Sequence, residues 1–288
     1  MGATAAMAPR AEASALRKRL VSAAVLLPLA AAAVWLGPPY WDSLVGAIAV
    51  VMAWEWAGMC AHGQPPSRLS ALGIGSAGAL SMLAMALAMG AAASQAYRLS
   101  LLLLVLGAAL SSLLGMRSAG GRGVWQGFGT VYIGLPSIAI IWLRAQAPGG
   151  LATMVWVLAL AIAVDTGAYA AGRSIGGPKL APRISPNKTW AGLLGGIAAG
   201  MVVGVVAALW LAAPSVWPLV LASALLGVVE QAGDLTESGF KRYFGVKDSG
   251  HLIPGHGGFL DRVDGLLAVA LAVALAQSLG GGILVWTR

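Results

Sequence analysis

The stretch from Ser238 to Asp264 sets Lys241, Arg242, Lys247 and Arg262 among Asp248, Asp261 and Asp264, around a His256-Gly257-Gly258 turn. Only 10% of the chain is charged, yet four of its ten acidic residues fall between Glu237 and Asp264: Glu237 itself, Asp248, Asp261 and Asp264. An Arg side chain binds phosphate oxygens in a two-pronged contact, and Lys supplies a mobile point charge. Carboxylates hold hard cations such as magnesium, usually one or two of them together with substrate phosphates and water. Asp234, Asp261 and Asp264 are the best candidate set for such an ion, with Asp234 ending one helix and the other two starting the next. Backbone N–H groups of the Gly257-Gly258 turn could cradle an anion, and His256 could donate to a phosphate or act as an acid. This mixture suits a metal-bound polyphosphate. Blander roles stay open: the two aspartates could cap a helix, and the cations could only touch anionic lipid heads.

A second polar segment precedes it. Asp165-Thr166-Gly167-Ala168-Tyr169 leads through Gly172-Arg173 and Lys179 to Ile184-Ser185-Pro186-Asn187-Lys188-Thr189-Trp190. Ser185 and Lys188 are candidates for holding substrate phosphate or nucleotide. Pro186 should keep this loop bent and extended, and Thr189 is placed to cap the helix that follows. Asp165 and Glu230 lie in or near the ends of apolar runs, where a carboxylate is costly unless it faces a cavity or a partner. Glu55, between Trp54 and Trp56, reads as an interfacial or packing residue. No phosphate-binding loop of the Walker type, HExxH zinc site or GxSxG elbow is present in the sequence.

The elements that must position these groups are membrane spans. The chain is 59% hydrophobic over 288 residues, whereas soluble domains are about 25% charged. Apolar runs of about 20 residues can cross a bilayer as helices. They fall at roughly 20–36, 43–60, 70–94, 99–116, 129–146, 150–171, 190–212, 215–233 and 265–286. The fold expected is therefore an all-α polytopic membrane protein of about nine spans. The run at 129–146 is the weakest, since Gly134, Pro136 and Arg144 interrupt it. The single Cys60 excludes an intramolecular disulfide.

The net charge of +8 is explained by topology before any nucleic-acid partner. With the N-terminus cytoplasmic and the C-terminus opposite, every Lys and Arg except Arg98, Arg144 and Arg288 lies on the cytoplasmic side. Residues 1–127, with about four spans, carry few chemical groups. Residues 128–288 form the catalytic region, with cytoplasmic loops 172–189 and 234–264. Glu230, Asp234, Glu237 or Ser238, and Lys241 recur every three or four residues, so span eight should continue as a helix with these on one face.

These segments resemble the signature of phosphatidate cytidylyltransferases, also called CDP-diacylglycerol synthases. Ser238, Lys241-Arg242, Lys247-Asp248, Pro254, His256-Gly257-Gly258, Asp261-Arg262 and Asp264 fill its fixed positions. Asp165 to Trp190, and Gly233-Asp234-Leu235 with Glu237-Ser238, resemble two further family patterns. One position departs: where the family usually has Glu then Gly after Thr-Trp, this chain has Ala191-Gly192. The resemblance implies transfer from CTP to phosphatidate in phospholipid biosynthesis, giving CDP-diacylglycerol and pyrophosphate, with one or two magnesium ions. It implies catalytic roles for Asp234, Lys241, Arg242, Lys247, Asp261 and Arg262, with Asp165, Glu237 and Asp248 as additional members of the site. It also implies a bacterial inner-membrane protein with its site facing the cytoplasm, and leaves a homodimer open. A CTP-dependent lipid-alcohol kinase and an ion-coupled transporter are the alternatives. The transporter would place acids near the midplane, whereas here they gather toward one end.

Overall fold

A computed structural model describes residues 24–62, 68–119, 123–253 and 257–280. The expected helical architecture is observed. Helix α1 (Ala24–Leu36) is followed by α2 (Tyr40–Ala61), α3 (Arg68–Ala93), α4 (Tyr97–Ala119), α5 (Val124–Ala145) and α6 (Gly150–Ser174). A short hairpin of β1 (Lys179–Ala181) and β2 (Ser185–Thr189) leads to α7 (Trp190–Trp210), α8 (Trp217–Phe244) and α9 (Leu260–Gly280). Eight of these helices are long and apolar enough to cross a membrane; α1 is shorter, and its apolar run begins outside the described residues.

The run that looked weakest as sequence, α5, is continuous through Pro136 and is the most buried span. A proline is tolerated in a membrane helix when neighbouring groups satisfy the backbone it frees. The small residues that interrupt its hydrophobicity are contact points: a Cβ at Gly129 would sit 2.1 Å from the indole nitrogen of Trp56.

Lipid tails are as apolar as leucine, so helices associate in a bilayer by close packing and hydrogen bonds rather than by hydrophobic burial. Helix α7 shows how this works. Gly192, Gly196, Gly200 and Gly204 form a stripe buried against α6 and α8. At Gly204 a Cβ would lie 2.7 Å from the Leu219 carbonyl and 2.8 Å from the Val220 Cα. Trp156 Nε1 on α6 donates to Ser223 Oγ on α8 at 3.0 Å, closing the trio α6, α7 and α8.

The C-terminal end of α8 is gripped by aromatic rings from α2 and α5. Trp56 stands 5.3 Å from Phe240 and 5.8 Å from Phe244, both edge-on. Trp56 Nε1 donates to the Trp125 carbonyl at 2.7 Å, and Trp125 Nε1 donates to Tyr243 Oη at 3.1 Å. Helix α8 ends at Gly245, which takes the left-handed conformation (φ 76°) that only glycine adopts without cost.

Filling the α7 stripe should loosen the bundle. Gly204→Leu is expected to cost about 1–3 kcal/mol through overpacking. Gly58→Leu, at a site where a Cβ meets nothing within 4 Å, should be silent. Thermal unfolding of the two variants in detergent checks the contrast.

Candidate active site

The two polar segments of the sequence meet on α8. Thr189, extended at the end of β2, accepts from Gly192 N at 3.0 Å and so caps α7, as its position predicted. That cap, with the β1–β2 pairing of Lys179 opposite Thr189, orders the loop in the neighbourhood of Ala191. The loop is a hairpin, a regular form of the extended backbone expected around Pro186. From it Lys188 reaches α8, where its ammonium lies 2.6 Å from Asp234 Oδ2 and donates to Gln231 Oε1 at 3.1 Å. Gln231 Nε2 in turn donates to Glu230 Oε2 at 2.8 Å, and Glu230 meets the carboxyl of Asp165 from α6. Ser238 Oγ donates to Asp234 Oδ1 at 3.3 Å, one turn further along. Arg242 Nε donates to the Ile184 carbonyl at 3.2 Å, a second tie between the hairpin and α8.

A cavity of about 460 Å³ opens beside this chain of contacts. Asp165, Asn187, Lys188, Gln231 and Asp234 form its polar wall, and Gly172 and Gly192 thin the opposite one. Its size falls in the range of small-molecule sites. On the other flank of the same turn of α8 lies an apolar cavity of about 410 Å³ between α5, α8 and α9. Leu135, Val229, Leu267 and Leu271 line it, and Asp264 and Thr236 are among its few polar members.

A second polar cluster stands where α8 meets α9. Lys241 is ion-paired with Glu237, whose side chain is fully buried, and with Asp261 Oδ1 at 2.8 Å. Both oxygens of Asp261 also accept from Ser249 N, at 3.1 and 3.0 Å, and Oδ2 accepts from Gly258 N at 2.8 Å. Asp264 Oδ1 accepts from Gly265 N at 2.8 Å and lies within electrostatic reach of Asp234 and Asp165.

Most of the residues singled out from sequence thus gather around α8. Asp165, Lys188, Asp234 and Ser238 form one group, and Glu237, Lys241, Asp261 and Gly258 form the other. Ser185 is half-buried at the start of β2. Arg242, Lys247, Asp248 and Arg262 are exposed around them. His256 lies outside the described residues. Two expectations look different in three dimensions. The Gly258 N–H is taken up by the carboxylate of Asp261, an anion of the chain itself. The set Asp234, Asp261 and Asp264 is not drawn together as three metal ligands among the described residues. Asp261, in the first turn of α9, is occupied by Lys241 and by the N–H groups of Ser249 and Gly258, both of which precede that helix. Asp234, with its side chain 24% exposed at the polar cavity, is the carboxylate best placed for a cation that completes its shell with phosphate oxygens and water.

Glu55, which reads in sequence as interfacial or packing, is 2% exposed and accepts from Phe259 N and Leu260 N, a role that residue order alone does not show. The signal available was a lone carboxylate within an apolar run, which demands a partner; its partner is two hundred residues away in the chain and has no local trace.

Fold and site together define an integral membrane protein with polar and apolar cavities side by side on one helix. The chain belongs to the cytidylyltransferase family, whose model matches residues 17–279. It is 34% identical to the phosphatidate cytidylyltransferase of Pseudomonas aeruginosa over 289 aligned residues, covering 93% of this chain and 99% of that protein. A regional match to the phosphatidate cytidylyltransferase of Brucella suis is 50% identical over 155 residues, 54% of this chain and 57% of that protein. A match to the enzyme of the same name from Staphylococcus haemolyticus is 42% identical over 139 residues, 48% of this chain and 52% of that protein. The chain thus spans little more than half the length of these last two relatives.

The Lys188–Asp234 pair is partly open to solvent, with side chains 17% and 24% exposed. Lys188→Met is therefore expected to lower stability by about 1 kcal/mol rather than the 3–5 kcal/mol of a sealed pair. A double-mutant cycle with Asp234→Asn, read by chemical denaturation in micelles, should return a coupling of that size. Additivity of the two changes would mean the contact contributes nothing.

Proposed function

We propose that this protein is a phosphatidate cytidylyltransferase, converting CTP and phosphatidate to CDP-diacylglycerol and pyrophosphate. The observation that carries the reading is the pair of cavities on opposite flanks of residues 231–236: a polar one of about 460 Å³ and an apolar one of about 410 Å³. A reaction joining a nucleotide to a lipid needs both environments within reach of one set of charges.

In this reading CTP phosphates lie in the polar cavity against Lys188, with Ser185 on the same hairpin, and phosphatidate enters sideways from the membrane with an acyl chain along the apolar cavity. A phosphatidate oxygen attacks the α-phosphorus of CTP, the bond to the β-phosphate bridging oxygen breaks, and pyrophosphate leaves. The attacking oxygen is already anionic at neutral pH, so no strong base is required. The chain must instead bring two anions together and hold charge on the departing group. Lys188, Lys241, Arg242, Lys247 and Arg262 supply that neutralisation.

The donor set suits magnesium. Asp234, at the polar cavity, would hold the ion with phosphate oxygens and water completing its shell, and Asp264, within electrostatic reach of Asp234, would add to the negative charge around it. When bound, the ion would offset phosphate charge on CTP and pyrophosphate. Lys and Arg cluster at the end bearing these loops, which supports a site facing the cytoplasm. The bacterial relatives support a plasma-membrane location.

Incubation of the purified protein with CTP, labelled phosphatidate and magnesium should yield labelled CDP-lipid and pyrophosphate. Release of CDP with phosphorylation of a lipid alcohol would identify a kinase instead and end this reading. Asp234→Asn and Asp261→Asn are each expected to reduce turnover about 100-fold or more, on the scale of lost transition-state electrostatics. Lys247→Ala, at an exposed position, should raise the KM for CTP and leave membrane insertion unchanged. An unaltered CTP dependence would remove it from the phosphate site.

A further inference from the structure

Helix α2 belongs to the half of the chain that carries few chemical groups, yet its Glu55 is the most heavily engaged carboxylate outside the α8 clusters. Its Oε1 accepts from Phe259 N at 2.9 Å, and its Oε2 accepts from Leu260 N at 3.0 Å and from Ser249 Oγ at 3.4 Å. Leu260 is the first residue of α9, and the first amides of a helix have no partner within it. A negative charge there is favoured by the helix dipole as well. Glu55 therefore caps α9 from a different helix.

The glycines of the segment fit around this carboxylate. A Cβ at Gly250 would lie 2.7 Å from Glu55 Oε1. At Gly258 it would lie 2.2 Å from Ser249 Oγ and 2.7 Å from both oxygens of Glu55. Closeness to Glu55 thus accounts for glycine at Gly258, whose N–H is given to Asp261.

Two carboxylates hold the same piece of chain from opposite ends. Asp261 accepts from the N–H groups of Ser249 and Gly258; Glu55 accepts from the Ser249 hydroxyl and from the next two amides, Phe259 and Leu260. Asp261 is also the partner of Lys241. Shifting the 258–260 backbone would move Asp261, and Lys241 with it.

We propose that Glu55 is a positioning residue for the reaction. By binding the first amides of α9 and the Ser249 hydroxyl, it fixes the segment that places Asp261 and Lys241. The N-terminal half then contributes to the site, through one side chain that touches no substrate. This proposal rests on the cytidylyltransferase reading above.

The test compares the full chain and Glu55→Gln, reconstituted in lipid nanodiscs, by hydrogen exchange and by steady-state kinetics. Glutamine keeps the shape but offers one acceptor where two amides need one each. Exchange should accelerate at the amides of 258–260 and stay unchanged in α3, α4 and α6. The kcat should fall about 10- to 100-fold, the scale of a small misplacement at a reacting centre, with the KM for CTP changed by less than about threefold. Ser249→Ala, which removes one hydrogen bond, should show a milder loss of about 2- to 10-fold, and little further loss in the Glu55→Gln background. If Glu55→Gln does not fold, Ser249→Ala alone decides by the same two readouts. A kcat within twofold of the parent, unchanged exchange at 258–260, or acceleration spread over the whole bundle would each overturn the proposal. If the parent makes no CDP-lipid, the function assigned above fails. The exchange comparison then decides by itself whether Glu55 holds this segment.

Discussion

A charge withdrawn from water must be partnered, and this constraint organises the second half of the molecule. At the centre of a bilayer-spanning helix a lone Asp, Lys or Arg costs roughly 2.5–3.5 kcal/mol on insertion scales. Here the buried charges are pooled rather than isolated. Lys241 stands between Glu237 and Asp261. Lys188 stands between Asp234 and Gln231, and Glu230 leans on Gln231 and Asp165. Three of these contacts join other elements to α8: the hairpin through Lys188, α6 through Asp165 and α9 through Asp261. Satisfying the charges and assembling the site are therefore one act of folding.

Helix α8 can serve as this common axis only if it is held along its whole length. Near its start, glycines of α7 let backbones approach, with the Leu219 and Ser223 oxygens against Gly204. Near its end, Trp56 meets Phe240 and Phe244 edge-on, and Trp125 packs tilted against Tyr243 and donates to its hydroxyl. Aromatic pairs of this kind add about 0.5–1.5 kcal/mol each beyond simple burial. The consecutive residues Glu55 and Trp56 thus act on two neighbouring elements, one on α9 and the other on α8.

Much of this could be read from residue order because it depends on short-range periodicity. Asp234, Ser238 and Lys241 share a face of α8 since a helix repeats every 3.6 residues. Thr189 caps α7 because a hydroxyl just before an apolar helical run has nearby amides to accept from. Hydropathy located most of the helices to within a few residues, while α8 runs on past its apolar run at 215–233 to Phe244. The weak run 129–146 became the most buried span for a reason composition averages away: its glycines are where other helices touch it.

Sequence by itself determined which residues carry charge, which segments must be helical in a bilayer, and the spacing that identifies the family. Tertiary structure decided what each carboxylate does. Asp261 turned out to hold Lys241 and two backbone amides, Asp234 to face the polar cavity, and Glu55 to cap a helix two hundred residues onward. The physical reason is that a carboxylate's role is set by the donors that reach it, and in a helical bundle those donors come from elements distant along the chain. Local pattern records which groups need partners; only the packing of the helices chooses them.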